Sequence, residues 1–156
     1  MAPSPDLFHQ DISGNIFTLL RSYLAKHPIG SAHIAPLDVY LSEINVYQPD
    51  VIFVSNARRS LLAEHGVEGA PDLVVEILSP ATARYDKGSK RKIYARTGVK
   101  ELWLVDPDSR TIQIYELTQN AETPAATHGP DSVFKSRLFP GMRFKATVIF
   151  KSSVHN

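Results

Sequence analysis

The run Asp72-Leu-Val-Val-Glu-Ile-Leu78 constrains this chain more than any other stretch. A strand with one wet face alternates polar and apolar residues; this one is nearly continuous in its apolar residues and rich in β-branched ones, so both of its faces are predicted to be covered. A strand dry on both sides needs layers above and below it. The chain is therefore expected to build a mixed sheet with helices packed on it, an α/β (α+β) architecture.

The flanking patterns supply those layers. Ile12, Ile16, Leu19, Leu20, Tyr23 and Leu24 recur at helical spacing and predict a helix over 9–27, ended by Pro28 and Gly30. His33–Leu41 and Tyr47–Ser55 read as two strands, with Ser42–Asn45 turning one back on the other. Residues 56–70 read as a polar connection with a short helix. Ser79-Pro80 breaks the central strand, and a second helix is expected from about Thr82 to Arg96, ended by Gly98. Glu101–Asp106 and Thr111–Leu117 read as strands joined by the turn Pro107-Asp108-Ser109. A loop over 119–132 and a last strand over Arg143–Phe150 complete the pattern. Residues 1–8 are Pro-rich and expected to be loosely ordered, 9–150 to form a single domain and 151–156 a tail; a length of 156 residues suits one core.

Composition removes several chemistries. There is no cysteine, which excludes disulfides, thiolate catalysis and Cys-ligated metal. The 17 Lys and Arg nearly balance the 16 Asp and Glu, so any attraction for nucleic acid must be local. No basic-then-apolar leader opens the sequence, and no apolar run approaches the ~20 residues of a membrane helix. The expected location is the cytoplasm, with no membrane partner.

Two carboxylates stand out because they lie within apolar strands. Asp50 opens Pro-Asp-Val-Ile-Phe-Val, and Glu76 sits inside the central run. A buried carboxylate is costly unless it is paired, hydrogen-bonded or bound to metal. If the two strands are neighbours, the side chains converge, and two acidic oxygens with waters and a phosphate suit Mg²⁺. Blander readings stand beside this one: Asp50 after Pro49 also fits a turn cap, and Glu76 a buried pair with Arg or Lys. Asp72, after Pro71, would share the face of Glu76 in a regular strand, and Asp38 lies in the first predicted strand; both are lesser candidates. His9, at the start of the first helix, and Gln48 are lesser candidates too.

The second helix adds cations. Asp86, Lys90 and Tyr94 stand at i, i+4 and i+8, and Arg84 to Arg96 holds six basic residues against one acid. Phosphate contact through Arg84, Lys87 and Arg91, with one lysine at the metal site, fits this stretch; a solvated charged face fits it as well. No zinc pattern and no Gly-rich phosphate loop is present, and Ser79 has no nucleophile-elbow context.

Pro49-Asp50-Val-Ile-Phe-Val, Pro71 through Pro80, Asp86-x-x-x-Lys90-x-x-x-Tyr94, Gly98 through Pro107 and Ser136 through Gly141 together resemble the Uma-two family of restriction endonucleases, in the PD-(D/E)XK nuclease superfamily. The resemblance spans roughly residues 9–150. It implies a restriction-endonuclease-like core of helix, three strands, helix and strand, here with an added hairpin strand and a C-terminal strand. It also implies a metal-dependent endonuclease that hydrolyses phosphodiester bonds in DNA with Mg²⁺ or Mn²⁺. Asp50 would be the Pro-Asp carboxylate and Glu76 the acid of the E-x-K element, both holding metal. The position two after Glu76 is Leu78, not lysine; Lys90 on the following helix is the matching cation, with Lys87 as a fallback. DNA is the implied partner, and a homodimer is compatible with cutting two strands. The missing lysine keeps an alternative open, a catalytically silent module that binds nucleic acid or a protein partner. Trp103 with the 101–117 strand pair could supply an apolar surface for such association.

Overall fold

The computed structural model describes residues 6–79 and 86–154, with residues 86 and 87 described in backbone only. Helix α1 spans Leu7–Lys26. It starts two residues before the sequence expectation because Asp6 caps it, its carboxylate accepting the His9 N–H at 2.8 Å. Residues 7 and 8, expected to be loosely ordered, therefore belong to the helix, with Asp6 as its cap. Ile12, Ile16, Leu20 and Leu24 form its buried stripe.

The main sheet has the order β1-β4-β7-β8-β9-β10. Its strands are β1 (Gly30–Ile34), β4 (Val51–Ser55), β7 (Leu73–Ile77), β8 (Glu101–Asp106), β9 (Thr111–Glu116) and β10 (Ala126–His128). All five residues of β7 are buried, as the central run required. β7 and β8 are parallel, and the other neighbours are antiparallel. The β7–β8 crossover carries the second helical segment, a widened π-type turn at Asp86–Lys90 continuing into α2 (Arg91–Thr97). Residues 80–85, which hold the expected start of that helix, lie outside the described residues. Gly98 ends α2 at φ 109°, a left-handed conformation that favours glycine.

The sheet separates two apolar layers. Val51, Phe53, Leu73, Val75, Ile77, Trp103 and Val105 pack towards α1. Ile52, Val54, Val74, Leu78, Leu102 and Leu104 pack with Tyr94 of α2 on the other face. Trp103 is 1% exposed, so it is a core residue and not an association surface.

Both early strands are shorter than expected, because each is cut by proline, which cannot donate to a ladder. Beyond Pro36 and before Pro49 the chain leaves the main sheet for a small one of order β3-β2-β6-β5, made of β2 (Val39–Tyr40), β3 (Val46–Tyr47), β5 (Leu62–Ala63) and β6 (Gly66–Val67). The predicted turn at Ser42–Asn45 joins β2 to β3. The polar connection carries a 3₁₀ turn at Asn56–Leu61 as well as β5 and β6.

The C-terminal strand is a correction. Only Phe144–Lys145 is extended (β12, paired with β11 at Val133–Phe134), and Ala146–Phe150 is a 3₁₀ turn. Ala146, Ile149 and Phe150 are its buried residues, at i, i+3 and i+4, so the apolar period there is helical and the β-branched composition misled. The expected tail is also partly anchored. The Ser153 N–H and hydroxyl both donate to Asp11 Oδ2 at 2.8 Å, and Asn15 donates to the Lys151 carbonyl at 3.0 Å.

Candidate active site

β4 and β7 are antiparallel neighbours with Val51 opposite Val75. One step further along that register, Asp50 lies across from Glu76. Directly opposed positions in an antiparallel pair put Cβ atoms on the order of 5 Å apart. The Asp50 N–H donates to the Val75 carbonyl at 3.2 Å, and the Asp50 side chain accepts the Ile77 N–H at 2.7 Å. Asp50 is thus fixed by the backbone on both sides of Glu76. Pro49 is what ends the previous segment and delivers Asp50 to this point.

Glu76 is 6% exposed. Its Oε1 accepts the hydroxyl of Tyr94, which is itself fully buried, at 2.5 Å. Burial of that carboxylate is made tolerable by the short hydrogen bond that the Tyr94 hydroxyl donates, among the stronger kinds available. From the helix on the other face of the sheet, His9 Nε2 lies 3.4 Å from Asp50 Oδ1, with side-chain exposures of 16% and 18%. The lone histidine at the start of α1 is therefore next to the acid pair.

The Lys90 ammonium lies 5.2 Å from the centroid of the Tyr47 ring. Tyr47 in turn meets Tyr94 edge to face, with centroids 5.7 Å apart and planes at 75°. Nothing in the sequence singles out Tyr47, since an aromatic residue in a strand reads as core. Leu78, at the position where the superfamily element carries lysine, is 5% exposed and packed in the apolar layer.

Other sequence candidates lie elsewhere. Asp72 does share a strand face with Glu76, but it is four residues away, about 13 Å at the rise of a strand. There its Oδ2 accepts the Ser55 N–H at 2.6 Å, with Lys100 Nζ at 3.1 Å and Arg58 Nε at 3.7 Å from Oδ1. It is a structural carboxylate at the opposite end of the sheet. Asp38 lies between β1 and β2, not inside a strand, and accepts the Gln48 amide at 2.8 Å; those two candidates meet each other at an exposed position. Arg91 turns inward. Its Nε donates to the Ala121 carbonyl at 2.7 Å, its guanidinium lies 4.9 Å from the Tyr115 ring centroid, and its side chain is 12% exposed. That placement does not suit contact with a substrate backbone. Arg84 lies outside the described residues, as do the side chains of Asp86 and Lys87.

Among the described residues no three of His, Asp and Glu converge as a ready-made metal cage. The donor set still fits Mg²⁺ or Mn²⁺. Mg²⁺ is usually held by one or two carboxylates, with waters and substrate phosphate completing its shell. The Ile77 N–H and the Tyr94 hydroxyl orient the two carboxylates, as partners behind metal ligands do.

A mixed sheet with a helix on each face defines an α+β fold, which sets Asp50, just ahead of β4, beside Glu76 of β7. A solved structure supports that architecture: the crystal structure of "a putative nuclease belonging to DUF820" from Anabaena variabilis superposes with a TM-score of 0.77 at 21% identity, covering 95% of this chain and 83% of that one. At that identity the likeness speaks for the fold alone. Among curated proteins no match is significant. The family is given by sequence: residues 1–148 match the family described as "Uma2: Putative restriction endonuclease", and the chain belongs to that family.

Proposed function

We propose that this protein is a metal-dependent nuclease that hydrolyses phosphodiester bonds in DNA, with Asp50 and Glu76 as metal ligands and Lys90 as the cation of the site. The observation that carries the reading is the register that sets Asp50 across from Glu76, each carboxylate held by its own donor. Membership of a restriction-endonuclease family supports the same reaction class. A divalent cation bound there would polarise a phosphoryl oxygen and lower the pKa of an attacking water.

The protein's own groups have separate tasks in this reading. Asp50 and Glu76 supply anionic oxygen. The Ile77 N–H and the Tyr94 hydroxyl keep those oxygens in place, which limits reorganisation as the reaction proceeds. Lys90 stabilises charge that develops on the phosphate. His9, next to Asp50, helps fix that carboxylate. A homodimer belongs to the proposal, since cutting both strands of a duplex uses two sites. No helix among the described residues is long and apolar enough to cross a membrane.

The experiment is cleavage of supercoiled plasmid with Mg²⁺ or Mn²⁺, comparing wild type with Asp50→Asn and Glu76→Gln. Wild type is expected to cut, chelation to stop it, and each substitution to lower the rate by about 10² or more, the scale of removing one electrostatic stabiliser. Cleavage that survives in both folded variants sinks the assignment. The buried Leu78 favours one competitor, a silent module. That reading predicts salt-sensitive DNA binding without metal-dependent turnover.

A further inference from the structure

We infer that Tyr47 is a positioning residue that ties Lys90 to Glu76, an assignment that rests on the nuclease reading of the acid pair. One ring touches both halves of the site. The Lys90 ammonium lies 5.2 Å from its centroid, within the range of a cation–π contact. The Tyr94 ring packs on it edge to face at 5.7 Å, and the Tyr94 hydroxyl reaches Glu76 Oε1 at 2.5 Å.

The physical need is clear from the two partners. A lysine side chain is a flexible four-carbon stem, and it loses much rotamer freedom when its head is fixed. Lys90 also sits at the junction of a widened turn and α2, where backbone geometry changes. An aromatic ring there attracts the ammonium through its face. The same ring restricts rotation of Tyr94 and so keeps its hydroxyl on Glu76. Cation and acid are then held in one relation through the Tyr47 ring.

This gives the small sheet a role. Prolines 36 and 49 bracket the excursion of β2 and β3 out of the main sheet, and Tyr47 is the last residue of β3, opposite Val39. Tyr47 is half-buried, where Val39 is fully buried. If the position only needed filling, an aliphatic residue would serve.

The test has a spectroscopic arm and a kinetic arm. Protons above an aromatic face are shifted upfield in NMR spectra. The Lys90 ε-methylene protons are expected upfield in wild type and in Tyr47→Phe, and at ordinary lysine positions in Tyr47→Leu. With plasmid and Mg²⁺, Tyr47→Leu should lower kcat about tenfold with KM within about twofold, and Tyr47→Phe should restore kcat. Tyr47→Leu combined with Lys90→Met should be no slower than Lys90→Met alone, because the two act as a unit. Ordinary Lys90 shifts in wild type overturn the inference, and this result needs no variant to fold. So does full kcat in Tyr47→Leu when Glu76→Gln is inactive. If wild type and Glu76→Gln are equally inactive, the nuclease reading fails instead, and the upfield shift alone decides whether Tyr47 tethers Lys90.

Discussion

Tyr94→Phe removes one oxygen and leaves the ring, which tests the hydroxyl that donates to Glu76. Tyr94 is fully buried, and its hydroxyl donates at 2.5 Å to Glu76, which is 6% exposed. The phenyl ring still packs against Tyr47 and the apolar layer, so almost no packing is lost. A hydrogen bond to a carboxylate contributes about 1.5–3 kcal/mol. For a chain of this length each 1 kcal/mol moves Tm by about 2–4 °C. A loss near the middle of that range gives a fall of roughly 4–8 °C. Trp103 is the one tryptophan and is 1% exposed, so its fluorescence reports unfolding of the core directly. Tyr115→Phe is the control: Tyr115 is also buried, but its hydroxyl meets Arg91 only at 3.4 Å, so a much smaller shift is expected. A Tm for Tyr94→Phe within about 1 °C of wild type would mean that the bond contributes nothing net to the fold. Glu76 would then not be held by Tyr94 in the way argued above.

Three further outcomes follow from other parts of the structure. Burial raises the Glu101 carboxyl above its usual 4.5, opposed by the Trp103 N–H and the Ser136 hydroxyl, raised further by Glu116 and opposed by Arg137. Because the folded state holds that proton more tightly, Glu101 contributes most below pH 4.5 and its contribution is lost as pH rises through the folded value; Glu101→Gln should flatten urea-derived stability across that window, and an unchanged slope refutes it. Asp72→Ala should cost about 1–3 kcal/mol, chiefly by leaving the Ser55 N–H without its acceptor while Lys100 turns to solvent and Arg58 keeps its carbonyl partners, as measured in urea, and folded protein should keep its cleavage rate; a specific rate loss like that of Glu76→Gln would return Asp72 to the site. Gly98→Ala should destabilise by about 1 kcal/mol or more, since φ 109° strains any residue with a Cβ, and an unchanged Tm would count against that end to α2.

The elements that were legible in advance are those whose period is local. The stripe of Ile12, Ile16, Leu20 and Leu24 declares a helix, and the run at 72–78 declares a covered strand, because each pattern repeats along its own axis. Boundaries were less legible. Pro36 and Pro49 cut strands that composition alone would extend, and the segment after Lys145 has strand-like residues with a helical burial pattern. In the sequence, Gly30 has the character of a helix end. In the structure it opens β1, where a Cβ would come within 2.3 Å of the Val54 carbonyl oxygen.

Two carboxylates at or within apolar strands, the lack of thiolate chemistry and a cationic segment after Glu76 could all be read from the residue order. The cost of burying charge made those residues conspicuous without any knowledge of their neighbours. Only the tertiary structure decided which of the acids meet. The β4–β7 register brings Asp50 to Glu76 and carries Asp72, on the same strand face, to the far end of the sheet. The fold alone also turned Arg91 inward to a carbonyl and laid the Tyr47 ring beside Lys90. Such pairings depend on strand order and register between segments distant in the chain, and no local period encodes them.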